Sequence, residues 1–157
     1  MLNRSDITSC WGRWQLTDDG TDILALDYWP QMSSNSQASK LALQAQAQLD
    51  AYVADANFQF DLPLRPVGTE FQCRVWHHLQ QIPVGEVQSY GDVAGLLGSA
   101  ARAVGGACRR NPIPLFIPCH RIVAKQSIGG FSGHTSGQQI DLKTALLQHE
   151  KAWQYGR

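Results

Sequence analysis

The amino-acid sequence predicts an α/β protein of two lobes: a small antiparallel sheet with one helix in residues 1–65, and a mainly helical domain with a helix-turn-helix in residues 66–157. Three patterns lead there. Apolar and polar residues alternate on both sides of Asp18-Asp19-Gly20, the signature of a β-hairpin. Leu41, Ala45, Leu49, Tyr52 and Val53 then recur at helical spacing. Farther on, two helical stretches meet at Gly98-Ser99, the spacing of a helix-turn-helix.

Length, composition and charge bound the function. A chain of 157 residues, 43% hydrophobic and 17% charged, buries a core without staples. Its net charge is zero but unevenly placed. Residues 1–65 hold four Lys/Arg against eight Asp/Glu, or −4, and residues 66–157 hold nine against five, or +4. A basic half gives a polyanion a preferred side. Cys10, Cys73, Cys108 and Cys119 form no CxxC pair and match no zinc-ligand spacing, so no metal and no disulfide is expected. Met1–Cys10 is polar, unlike a secretory leader, and no run is long enough to span a membrane. The expected compartment is reducing: the cytoplasm, or the nucleus of a eukaryote.

Taken in order, Gly12-Arg13-Trp14-Gln15-Leu16-Thr17 and Ile23-Leu24-Ala25-Leu26 form the hairpin. Residues 30–35 are a loop, 38–53 a helix with a Gln-rich outer face, and 57–66 a connector holding Phe58 and Phe60. This lobe shows no catalytic pattern and is predicted to be a scaffold. Beyond it, Thr69-x-x-Gln72 is a capping box, and Phe71, Val75 and Leu79 mark the buried face of the helix it starts. His77 and His78 are neighbours on that helix and point apart, which disfavours a shared metal. Pro83-Val84-Gly85 ends it. Ser89-x-x-Asp92 caps the next helix, with Val93, Leu96 and Leu97 inward and Gly98 at its end. Ser99 caps a third, residues 100–110, which stops before Asn111-Pro112.

The third helix is nearly bare. Ala100, Ala101, Ala103, Gly105, Gly106 and Ala107 leave little side chain, and each glycine costs about 1 kcal/mol relative to alanine. Close helix packing explains such a surface, and so does close approach to a partner. Arg102 stands out from the small residues and Arg109-Arg110 close the helix, which suits a DNA groove with an arginine reaching into the base stack.

Past it, Asn111-Pro112-Ile113-Pro114-Leu115-Phe116 runs into Ile117-Pro118-Cys119-His120-Arg121. The prolines exclude helix and central strand, leaving a stiff extended segment that delivers a thiol followed by a base. On the pentapeptide alone, a nucleophile and a buried structural cysteine are both open readings. Gly129-Gly130-Phe131-Ser132-Gly133 is a glycine-rich loop without the strand, helix and lysine of a nucleotide site. A last helix, 141–150, puts Leu142, Ala145 and Leu146 inward and ends in His149-Glu150. A carboxylate at a helix C-terminus is disfavoured by the dipole, so a partner for Glu150 is expected elsewhere.

Five ordered blocks decide between the readings: Phe71-Gln72-x-x-Val75-Trp76; Ile82-Pro83-x-Gly85-Glu86-Val87-x-Ser89-Tyr90; Ala101-Arg102-Ala103-Val104-Gly105-Gly106; Asn111-Pro112-x-Pro114; and Ile117-Pro118-Cys119-His120-Arg121. With Lys143-x-x-x-Leu147-x-His149-Glu150, they strongly resemble the O6-alkylguanine-DNA alkyltransferases over residues 66–151. That resemblance implies an N-terminal sheet-and-helix lobe and a winged-helix-like C-terminal lobe. It also implies irreversible transfer of an alkyl group from O6 of guanine, or O4 of thymine, in duplex DNA onto the protein's own cysteine.

By position it makes Cys119 the acceptor, His120 its base, Glu150 the partner of His120, and Asn111 the hinge to the helix-turn-helix. Tyr90 would crowd the flipped nucleotide, and Arg102 would fill the gap it leaves. Gln72, Gly91 and Ser99 would touch the DNA backbone. Pro114, Ile122, Phe131 and Ser132 would line the substrate pocket. The guanine amino group would bond the Cys119 and Ile122 backbone, and the Ser132 amide would bond O6. The implied protein is a monomer on the minor groove with no cofactor and no membrane contact. Phe131 stands where many members have tyrosine and His134 where they have glycine, which bears on substrate range.

Two other classes compete. A non-catalytic lesion binder of the same fold would lack the cysteine, and Cys119 is present. A cysteine hydrolase would bring Cys and His together from distant positions, and here they are adjacent.

Overall fold

The computed structural model describes residues 1–28, 37–125, 127–131 and 137–152. The expected loop at 30–35, together with Ser132, Gly133 and His134, lies outside the described residues. The fold is mixed α/β, and the chain divides into two compact units, Met1–Val67 and Gly68–Arg157.

The first unit is a three-stranded antiparallel sheet in the order β1-β2-β3, with β1 Asn3–Ser9, β2 Gly12–Asp18 and β3 Ile23–Tyr28. The central strand supplies the core, burying Trp14 and Leu16 opposite Ile7 on one side and Leu26 on the other. Strand β1 was not expected from its polar sequence. It buries Ser5 and Ile7, and the Ser5 hydroxyl accepts from the Ser39 amide at 3.1 Å. In the hairpin turn the Asp19 carboxylate accepts from the Thr21 and Asp22 amides, and Gly20 takes φ 91°. Helix α1, Lys40–Ala54, is capped by Ser39 and buries Leu41, Ala42, Ala45, Leu49 and Tyr52. Val53 is only half-buried, because it falls at the rim of that stripe.

The second unit begins at Gly68, where a Cβ would come within 2.5 Å of the Trp76 ring, so only glycine fits. Helix α2, Glu70–Leu79, carries the capping box that the spacing predicts. It buries Val75, Trp76 and Leu79, with Phe71 half-buried at its first turn. The Trp76 indole donates to the Ala107 carbonyl at 2.8 Å, tying α2 to the nearly bare helix.

Strand β4, Gln88–Ser89, leads into α3, Tyr90–Leu97, which Ser89 caps through the Asp92 amide. Gly98 turns the chain with φ 65°, in the left-handed region that favours glycine. Helix α4, Ala101–Arg109, follows. Two expectations fail here. Ser99 does not cap α4: the cap position falls at Ala100, which has no side-chain acceptor, because the Ser99 amide is spent closing α3 on the Ala94 carbonyl. Leu96 is 67% exposed, since α3 turns Val93 and Ala94 inward and leaves Leu96 beyond the edge of that face.

The thiol segment differs from the extended run that its prolines predict. Leu115 takes φ 78°, a rare left-handed conformation for a branched residue, and Cys119–Arg121 coil into one turn of 3-10 helix. The chain then enters β5, Ile122–Val123, parallel to β4 in register Gln88↔Ile122 and Ser89↔Val123. Helix α5, Gln138–His149, starts three residues earlier than expected. It buries Leu142, Lys143, Leu146 and Leu147, with Ala145 half-buried.

Candidate active site

The centre of the site is a buried thiol, with Cys119 3% exposed. Asn111, just past α4, fixes the segment that carries it. Its amide donates to the Ile117 carbonyl at 2.9 Å, and its oxygen accepts from the Ile113 amide at 2.9 Å. One side chain thus closes the proline-rich loop on itself. Burial pushes the Cys119 thiol up to about 11, although Asn111 and Lys143 both pull it down. A thiol so placed is almost wholly protonated near neutrality and needs a base to react.

The imidazole of His120, adjacent in sequence, is wholly buried. His120 Nε2 lies 2.8 Å from Glu150 Oε2, and both side chains are fully shielded from solvent. Arg121 grips the same carboxylate with Nε at 2.9 Å and Nη2 at 3.0 Å, and donates to the Ile82 carbonyl at 2.7 Å. Burial pushes the Glu150 carboxyl up, but His120 and Arg121 outweigh it and hold it far below its usual range. Burial also lowers His120, overcoming the pull of Glu150. The pair is therefore a carboxylate beside a neutral imidazole. The carboxylate fixes the ring proton on Nε2, which leaves Nδ1 with its lone pair. Nδ1 is buried without a hydrogen-bond partner among the described residues.

Two further groups join this centre. The Tyr90 hydroxyl donates weakly to the Gly130 carbonyl at 3.4 Å, and burial pushes the phenol far above its ordinary value, so it stays protonated. Gly129 takes φ 75°, and a Cβ there would lie 3.0 Å from the Ala124 nitrogen and 3.2 Å from the Tyr90 ring. The turn therefore requires glycine. Below it, the fully buried Lys143 donates from Nζ to the Ile122 carbonyl at 2.7 Å and the Gly130 carbonyl at 2.8 Å.

Of the residues singled out from the sequence, Cys119, His120, Glu150 and Asn111 come together in this unit, with Tyr90 close to the Gly129–Gly130 turn. Pro114, Ile122 and Phe131 are buried beside the thiol segment or in the turns that follow it. The Ile122 carbonyl, expected to meet a guanine amino group, already accepts from Lys143. Gly91, Ser99 and Arg102 lie exposed on the helix-turn-helix, with Arg109 and Arg110 on the same helix as Arg102 or at its end. The Gln72 side-chain oxygen Oε1 is spent in the capping box, accepting from the Thr69 backbone amide at 2.9 Å. No set of three His, Cys, Asp or Glu suited to a metal occurs among the described residues.

Arg121 and Lys143 were read from the sequence only as motif letters. Lys143 shares a helical stripe with Leu142, Leu146 and Leu147, and that spacing is the signal for its burial.

The family model for the DNA-binding domain of 6-O-methylguanine DNA methyltransferase matches residues 70–152. The chain belongs to this family. A methylated-DNA–protein-cysteine methyltransferase of Bacillus subtilis, the constitutive one, is 42% identical over 123 residues, covering 77% of this chain and 72% of the relative. One from Methanosarcina acetivorans is 45% identical over 109 residues, covering 68% and 67%. Among solved methyltransferases, the Mycobacterium tuberculosis O6-methylguanine methyltransferase superposes with a TM-score of 0.83 at 36% identity, over 97% of this chain and 94% of that one. The Mycobacterium tuberculosis protein in complex with DNA superposes at 0.80 and 36%, over 95% and 92%.

Proposed function

We propose that this methyltransferase repairs DNA by direct reversal, moving the alkyl group of an O6-alkylguanine onto Cys119 once and irreversibly. The observation that carries the reading is the buried thiol placed directly ahead of a His120–Glu150 pair, in a chain of this family. His120 Nδ1 takes the thiol proton through a bridging water. The sulfur then attacks the alkyl carbon in line, the S–C bond forms, and the C–O6 bond breaks. Its electron pair goes to the guanine, which takes up a proton relayed through the Tyr90 hydroxyl, that oxygen recovering one from solvent. Glu150 stabilises the imidazolium that results, the logic of a catalytic triad with one link through water. No cofactor enters the balance.

The partner is duplex DNA, met on its minor groove by α4, with the damaged base flipped out of the stack. The two glycines support this placement. A Cβ at Gly106 would meet nothing within 4 Å, and one at Gly105 only the Tyr90 ring at 3.9 Å, an ordinary contact. Packing within the unit therefore does not demand them, and close approach from outside does. Arg102 is the side chain that fills the space left by the base, and Gly91, Ser99 and the Gln72 region face the backbone. Pro114, Ile122 and Phe131 line the pocket, and one copy suffices.

Single-turnover titration with duplex carrying radiolabelled O6-methylguanine tests this. Transfer is expected to stop at one methyl per chain. Continued turnover would make the protein a hydrolase of the alkyl group, and binding without transfer would make it a lesion sensor.

A further inference from the structure

Lys143 is a buried titratable group of the site that the reaction above leaves without a task. Its ammonium is wholly inside the unit, held by two backbone carbonyls at 2.7 and 2.8 Å and lying 6.0 Å from the centroid of the Tyr90 ring. No carboxylate lies within ion-pairing reach among the described residues. Buried charges in proteins are paired, so a fully formed ammonium with only carbonyls around it is an uncompensated cation. The carbonyl it grips at Ile122 belongs to the residue whose own amide donates to the Cys119 carbonyl, which sets the ammonium beside the turn that carries the thiol.

We propose that Lys143 is a positioning residue for alkyl transfer: its ammonium is the fixed counter-charge for the Cys119 thiolate, set in place by the Ile122 and Gly130 carbonyls. The inference deepens the acceptor role proposed for Cys119 and rests on it. The two carbonyls belong to the strand after the thiol and to the Gly129–Gly130 turn, so the cation also joins two segments that follow the thiol. It neither gives nor takes a proton in the step. It lowers the energy of sulfur carrying negative charge, from a place that water does not screen.

The electrostatics run the same way. The Lys143 charge pulls both Cys119 and Cys108 down against the rise that burial imposes, and its opposing effect on His120 is offset by the Glu150 carboxylate, which favours the imidazolium. Burial lowers Lys143 itself to about 8, with the two cysteines acting in the opposite sense. Its charge is therefore lost as the solution passes that pH. The other ionisable groups around it are Tyr90 from α3, Cys108 from α4, and His120 beside the thiol.

The test uses the full chain with two variants. Lys143→Gln keeps an N–H donor for the carbonyls but has no charge, and Lys143→Arg keeps the charge at every accessible pH. The rate of Cys119 modification is followed by peptide mass from pH 6 to 10, once with iodoacetamide and once with O6-methylguanine duplex. Wild type should outpace Lys143→Gln by about tenfold below the lysine titration, the effect of one nearby opposite charge. That ratio should shrink toward one above it. Lys143→Arg should hold its lead throughout, and its divergence from wild type at high pH serves alone if the glutamine variant does not fold.

A wild-type to Lys143→Gln ratio that is constant with pH, or an arginine variant as slow as the glutamine variant, would reduce Lys143 to a structural clamp and overturn the proposal. If iodoacetamide shows the expected pattern while the duplex never alkylates Cys119, the repair reading falls and the counter-charge stands.

Discussion

At Cys119, reactivity cannot come from an intrinsically acidic thiol, because burial drives the group to about 11. In the proposed reaction it comes from proton transfer to His120 and from the charges around the sulfur. Glu150→Gln is therefore expected to slow transfer by about 100-fold, the usual worth of a positioned base, and to flatten the acid side of its pH profile. An unchanged profile would break the proposed relay. The variant also leaves the half-buried Arg121 facing an uncharged partner, so a loss of about 3 kcal/mol in stability should accompany it in denaturant unfolding.

The residues of this pair were legible in the sequence because a family motif sets them at fixed positions. Arg121 and Lys143 were not, although they stand in the same blocks. A long cation beside an apolar stripe usually turns its head outward to water, and only the fold shows that these two turn inward.

At the scale of elements, α4 gives up helix stability for a bare surface. Gly106→Ala adds a methyl that meets nothing within 4 Å. It should raise stability by about 1 kcal/mol, read by thermal unfolding, because alanine favours the helix that glycine weakens. Binding of duplex DNA should weaken at the same time. A stabilised variant that binds duplex unchanged would remove the close approach of α4 to DNA.

Elements with strong local signals were readable: the capping box of α2, the Ser89 cap of α3 and the left-handed Gly98 all lie where their residues put them. Strand β1 was not readable, since a polar edge strand with only Ile7 and Ser5 turned inward has too little alternation to announce itself. The turn at Cys119–Arg121 was missed for another reason. Prolines at 112, 114 and 118 restrict φ without choosing between an extended chain and a tight turn, and the choice is made by Asn111 and by pairing of β5 with β4.

For the whole molecule, the buried ionic centre makes stability depend on acid. His120 has its folded value lowered, so it contributes stability above about 6.5, the ordinary imidazole value, and loses it as pH falls below that. Glu150 is also lowered, so its contribution is present above about 4.3 and is lost on further acidification. Both act in one direction. The unfolding midpoint in urea should fall in two stages between neutral pH and about pH 3, the first following His120 and the second Glu150. In Glu150→Gln the second stage should shrink, and a midpoint flat across that range would deny that the pair is buried and ionised as described.

Charge is divided at the same scale, −4 in residues 1–65 and +4 in residues 66–157, with the basic half carrying both the helix-turn-helix and the thiol. That division was evident from composition. Which exposed cations face a partner was not, because composition does not distinguish Arg102 on α4 from Arg65 in its ion pair with Asp19.

The most direct measurement is intact-mass and peptide-mass analysis after incubation with excess O6-methylguanine duplex. One added methyl is expected, saturating at one per chain and located on the tryptic peptide of residues 111–121 that holds Cys119. A methyl on the peptide holding Cys108, or no mass change while the lesion duplex stays bound, would contradict Cys119 as the acceptor.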